Sequence, residues 1–177
     1  GKTSPAWDCL SEAAVNPLEG GLDELYREVV MDHSRRPRGR DPLPRVDATA
    51  RGFNPVCGDE VEVRVAVEGN QVAGVQVAGR GCAICTASGS ILAEVLPGRR
   101  LDETSSTVEA FRCLMHGQPT APDIDLGDLE ALSGVARFPV RVKCAMLPWV
   151  TLEDALRAWR VGLPTQVAGR EREETSP

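Results

Sequence analysis

Between residues 61 and 68, Val61, Val63, Val65 and Val67 alternate with Glu62, Arg64, Ala66 and Glu68, a period of two that predicts a strand with one buried and one mostly wet face. EGNQ then supplies a turn, and QVAGVQVAG reads as a weaker strand that pairs back as a hairpin. Elsewhere the spacing is helical. Leu22, Leu25, Tyr26, Val29 and Val30 share one face of a helix that must end before Pro37. CAICTASGSILAEVLPG puts Ile84, Ala87, Ile91 and Val95 on one stripe, with Pro97-Gly98 as the stop, which sets Cys82 at a helix N-terminus. Residues 105–116 predict a third helix with Val108, Phe111 and Met115 inward, and 128–132 a short one. Residues 140–144 read as brief and extended. Residues 148–160 read as helical, with Pro148 tolerated in the first turn and Leu152, Leu156 and Trp159 facing in.

Around this patterned core, residues 1–20 are expected to be a loose extension, 21–163 one domain, and 164–177 a flexible polar tail. A chain of 177 residues suits a single core, and no internal repeat is visible. The net charge of −6 argues against nucleic acid as a partner. The local cluster of Arg35, Arg36, Arg38 and Arg40 is read as a solvated loop. No apolar run approaches the ~20 residues that span a bilayer, and the first residues lack a signal peptide's apolar stretch. The expectation is therefore a cytoplasmic protein with no membrane partner, whose six cysteines stay reduced and serve metal or chemistry.

Three of those cysteines share a setting that favours thiolate. Cys57 is in a loop before a strand, Cys82 is at a strand-to-helix junction, and Cys144 is at an apparent extended-to-helix junction near Arg141 and Lys143. A helix N-terminus and nearby cations both lower a thiol pKa. Cys113, inside a helical pattern, reads as a small buried apolar residue, and Cys9 as incidental. With Asp59, two residues after Cys57, the three thiols make a tetrahedral set for a divalent metal such as zinc. The carboxylate is the hardest and weakest of the four ligands, which suits a working site with an exchangeable position. Cys82 and Cys85 also form a CxxC, so a thiol–disulfide oxidoreductase using that pair is an alternative from a different class. A binding module with structural zinc is another.

LYREVVMDHSRRPRG, NPVCGDEVEV, GRGCAICTASGSIL and RVKCAMLPW, in that order, resemble the SufU branch of the IscU/NifU-type iron–sulfur cluster assembly proteins, over roughly residues 22–159. The resemblance implies an α+β domain of the SufE/NifU (IscU-like) fold, a three-stranded antiparallel sheet with helices packed on it and a metal site at one end. It places the family's metal ligands on Cys57, Asp59, Cys82 and Cys144. Lys143 stands where the IscU branch has His, a SufU-like feature. Cys85 departs from the Ser usual in SufU relatives, and Pro148 is a second departure. The implied function is that of a zinc-dependent sulfur carrier, with Cys57 accepting persulfide sulfur from a SufS-type cysteine desulfurase. A scaffold for a transient [2Fe–2S] cluster or iron on the same ligands is the alternative. Downstream cluster assembly proteins are further partners. Arg141 and Lys143 are expected to contact the partner, and a partner His is expected to replace Cys57 on the metal during transfer. Of the CxxC pair, Cys82 is expected to be the ligand and Cys85 to be dispensable.

Overall fold

A computed structural model of the chain describes residues 19–162. The residues expected to form the loose extension, 19 and 20 apart, and the polar tail lie outside that range. The chain runs α1 (Glu19–Arg35), β1 (Ala48–Asn54), β2 (Asp59–Glu68), β3 (Gln71–Arg80), α2 (Ala83–Val95), α3 (Leu101–Met115), a 3-10 segment (Gly127–Arg137) and α4 (Pro139–Arg160). The strands form an antiparallel meander in the order β1-β2-β3. No parallel βαβ unit occurs among the described residues.

The valine alternation of β2 holds as predicted. Val61, Val63, Val65 and Val67 are buried, and β2 is the central strand. The expected β3 pairs with it, with a register shift between Ala66 and Val67. β1 was not visible in the hydrophobic pattern, because its inward positions are Ala48, Ala50, Gly52 and Asn54, too small or polar to signal a strand. That smallness has a packing reason. A Cβ on Gly52 would stand 3.1 Å from Leu147 Cδ1 and nearly on Thr151 Oγ1, so only glycine lets α4 lie this close to β1.

Helices α2 and α4 cover the sheet, and α1 packs on α2 and the 3-10 segment. The core gathers Val63, Val65, Ile91, Leu92, Phe111, Leu132, Trp149 and Leu152. The predicted face of α1 is only half met, since Leu25 is 52% exposed while Val30 packs against the core. Helix α3 begins at Leu101, one turn before the expected start, where Glu103 Oε2 accepts the Arg100 N–H at 2.9 Å and so satisfies one of the helix's first free donors. The short helix expected at 128–132 is instead the 3-10 segment Gly127–Arg137.

The largest correction concerns the C-terminal helix. Residues 140–144 are not extended; they are the opening turns of α4, which continues through Pro148 to Arg160. Pro139 occupies the first helical turn, where its missing N–H costs nothing, whereas Pro148 is internal and cannot donate to the Cys144 carbonyl. The burial of Pro148, Trp149, Thr151 and Leu152 against the sheet and α2 outweighs that loss. Ser88 of α2 reinforces the joint by donating to the Ala145 carbonyl at 2.6 Å and accepting from Trp149 Nε1 at 3.0 Å.

Candidate metal centre

Three tertiary junctions converge at one end of the sheet. The β1–β2 turn, residues 55–58, is tied by Gly58 N–H donating to Asn54 O at 2.7 Å and Val56 N–H donating to Asn54 Oδ1 at 3.1 Å. Gly58 adopts φ +75°, a left-handed conformation that glycine takes without strain, which lets the chain present Cys57 outward and Asp59 inward two residues apart. Cys57 is exposed, and Asp59 is 3% exposed.

The second contributor is the start of α2. Cys82 is its N-cap, with its sulfur accepting from Cys85 N–H at 3.5 Å. Its own N–H donates to Asp59 Oδ1 at 2.9 Å, and its thiol reaches Asp59 Oδ2 at 3.7 Å. The third is α4, which carries Cys144 in its second turn, fully buried, with Sγ 3.3 Å from Cys57 Sγ.

Cys57 Sγ, Cys144 Sγ and an Asp59 oxygen all lie within 4.8 Å of one another. Ligands of a tetrahedral zinc with sulfur at about 2.3 Å and oxygen at about 2.0 Å stand roughly 3.5–3.8 Å apart, so these separations fit such an ion with small shifts. Cys82 adjoins the group through Asp59. Three soft sulfurs and one carboxylate oxygen are a donor set that suits zinc, and thiolates suit iron–sulfur clusters as well.

Burial would raise the Asp59 pKa, but hydrogen bonds from Cys57, Cys144 and both the backbone and thiol of Cys82 outweigh it and hold the carboxyl below its usual value. For Cys144 the sequence expectation fails. Burial, together with the hydrogen bonds to Cys57, Asp59 and Cys82, pushes this thiol well above its ordinary value. Desolvation wins because the residue lies on the sheet side of α4, while Arg141 and Lys143 are exposed and make no ion pair among the described residues. A metal ion is what would draw the proton from such a thiol.

Cys85 is 2% exposed and packs with Val61, Cys144 and Leu147 directly beneath the centre. Its thiol is pushed up by burial and by the neighbouring Asp59, Cys82 and Cys57. The sequence assigns it only to the alternative CxxC pair with Cys82 and not to the metal ligands. Cys113 is buried as expected but is disulfide-bonded, not a free thiol, so the expectation that all cysteines stay reduced does not hold for it. Cys9 lies outside the described residues.

A second group, His33 with Glu94 and Asp128, also brings potential ligand atoms within 4.8 Å. His33 is fully engaged in hydrogen bonds there, at 2.7 Å from Ser90 Oγ and 3.0 Å from Asp128 Oδ2. Arg38 Nε sits 3.6 Å from Glu94, so the group reads as a clamp joining α1, α2 and the 3-10 segment.

The family described as the NifU-like N-terminal domain matches residues 25–145. The zinc-dependent sulfurtransferase SufU of Bacillus subtilis is 39% identical over 139 residues, covering 78% of this chain and 94% of that protein. The iron–sulfur cluster assembly scaffold protein IscU of Streptococcus pyogenes is 36% identical, covering 77% and 85%. The crystal structure of a putative SUF-system scaffold protein from Fervidobacterium islandicum superposes with a TM-score of 0.68 at 32% identity, covering 73% of this chain and 94% of that one. Among the described residues no helix is long and apolar enough to cross a membrane. By matched length, by identity and by its three-stranded sheet with packed helices, the chain belongs to the NifU-like N-terminal domain family, alongside proteins named IscU and SufU.

Proposed function

We propose that this protein serves iron–sulfur cluster assembly as a zinc-holding sulfur acceptor, with Cys57, Asp59, Cys82 and Cys144 as ligands and Cys57 as the residue that carries sulfur. One observation carries the reading. Of the four thiols gathered at the centre, Cys57 alone is exposed, on a tight turn, yet its sulfur reaches within 3.3 Å of the buried Cys144. A thiol so placed belongs to the centre and still faces a partner.

The partner is a cysteine desulfurase that presents a persulfide. Cys57 as thiolate attacks the outer sulfur. The partner's S–S bond breaks, its cysteine leaves as thiolate, and a new S–S bond forms on Cys57, with no net oxidation. Zinc, when bound, holds the ligand thiols deprotonated at neutral pH. Held by such an ion, Cys57 would have to be freed from it to attack. Arg141, exposed in the first turn of α4, lines a groove with Ile84, Phe138 and Tyr26, which suits it and neighbouring Lys143 to contact that partner.

Incubation with a desulfurase and cysteine, followed by mass spectrometry of non-reduced peptides, should find added sulfur on the peptide containing Cys57. Sulfur on Cys82 or Cys85 instead, or transfer undiminished in Cys57→Ala, would sink the assignment. A second reading, a [2Fe–2S] scaffold on the same ligands, is favoured by the sulfur-rich donor set and by the names of the IscU relatives. Anaerobic reconstitution with iron and sulfide, followed by spectroscopy of the bound cluster, separates the two.

A further inference from the structure

Cys57, Asp59 and Cys144 bring ligand atoms within 4.8 Å of one another, Cys82 and Cys85 border that group, and a tetrahedral ion takes four ligands. We infer that Cys85 is a built-in reserve ligand, which takes the coordination position that Cys57 vacates when it accepts sulfur. The inference rests on the reading of Cys57 as a sulfur acceptor that must leave the ion to react.

The position of Cys85 supports it. CxxC is the spacing by which zinc sites draw two thiolates from one segment. Here the pair opens a helix, with the Cys82 sulfur accepting the Cys85 N–H at 3.5 Å, so both residues belong to one turn. Cys85 shares a small buried cluster with Cys144, itself a candidate ligand. A Cβ on Gly81 would stand 2.9 Å from Cys85 Sγ and 3.4 Å from Asp59 Cγ, which places the Cys85 thiol and the Asp59 carboxyl against the same small space. The two thiols in question differ in burial. Cys57 is exposed and turns outward without disturbing the core, while Cys85 is 2% exposed and lies on the core side, out of reach of a docked partner.

The exchange is a ligand substitution without electron transfer. Cys57 breaks its bond to the ion and keeps the electron pair it uses on the donor persulfide. Cys85 forms a bond to the ion and gives up its proton to solvent, while the donor's cysteine leaves as thiolate. The ion then keeps four protein ligands, Asp59, Cys82, Cys85 and Cys144, without a ligand from the partner. A serine at position 85 would leave that fourth position to water or to a partner side chain.

The test counts sulfurs on the metal. Wild type, Cys57→Ala, Cys85→Ser and Cys57→Ala/Cys85→Ser are loaded with zinc and with cobalt. Zinc affinity is read by competition with a chelating dye, and the number of bound thiolates from the cobalt charge-transfer absorption. Both single variants should hold one zinc, and Cys57→Ala should keep the wild-type charge-transfer intensity. The double variant should lose about a third of that intensity, as three thiolates become two, and its affinity should fall at least 10-fold beyond the product of the two single effects. An intensity in Cys57→Ala already reduced to that of two thiolates would overturn the inference. So would a double variant that binds zinc as tightly as Cys57→Ala. If the double variant fails to fold by circular dichroism, the sulfur count in Cys57→Ala decides alone. Failure of the sulfur-acceptor reading shows separately, as absence of added sulfur on Cys57 in wild type.

Discussion

Replacing Ser88 by Ala tests how the metal end of the molecule is braced. The Ser88 hydroxyl is fully buried, donates to the Ala145 carbonyl at 2.6 Å and accepts the Trp149 indole N–H at 3.0 Å. It therefore ties α2, six residues after Cys82, to α4, one residue after Cys144 and beside Pro148, where the helix lacks a backbone bond. Ser88→Ala changes little volume but strands the Trp149 N–H in a site with no water access, since Trp149 is fully buried. An orphaned buried donor costs about 1–3 kcal/mol, and the lost bond to Ala145 adds about 0.5–1.5, for a total of about 2–4 kcal/mol. In a domain of this size that lowers Tm by about 6–12 °C. The assay is urea and thermal denaturation with chelator present, which keeps metal binding out of the comparison. Trp149→Phe in the Ser88→Ala background removes the stranded donor, so the double variant should cost clearly less than the sum of the singles. A Ser88→Ala loss below about 1 kcal/mol, or strict additivity in the double variant, would refute the reasoning.

Protein purified in air should carry one zinc per chain, and chelation should lower its Tm, because metal binding to the folded site is folding free energy; elemental analysis finding no stoichiometric metal would count against the site. Cys82→Ser should lose the metal while Cys85→Ser in an otherwise native chain keeps it, and zinc released by Cys85→Ser alone would mean that the resting ligands are misassigned. Hydrogen bonding to Arg38 holds the Asp32 carboxyl below its ordinary value, helped by Arg36 at 2.9 Å. The resulting stability is present above the unfolded value of about 3.9 and is lost as pH falls through the lower folded value. Asp32→Asn should flatten the acid limb of the stability profile between pH 5 and 2 relative to wild type, and an unchanged limb would show that the pair contributes nothing.

Local pattern settled much of this molecule. A strict period of two over 61–67 determined β2 and its buried face, and the glycines and polar residues after it determined the hairpin. The run CAICTASGSILAEV, between Gly81 and Pro97-Gly98, determined α2 and with it Cys82 at the N-cap, a placement that needs only chain-local geometry. Order and content of four motifs carried the family resemblance. Tertiary structure decided the rest, wherever a residue's state depends on what another segment places beside it. Strand β1 exists because β2 offers it a ladder and α4 needs its small residues, neither of which is written in its own seven positions. Helix α4 runs through Pro148 because burial on the sheet and the Ser88 bridge offset a defect that local rules treat as a boundary. Cys144 looked activated from its neighbours in sequence, but its neighbours in space desolvate it and turn its pKa the other way. Cys85 looked redundant at three residues from Cys82, and only the packing of β2, α2 and α4 around it shows that it borders the same centre as Asp59 and Cys144.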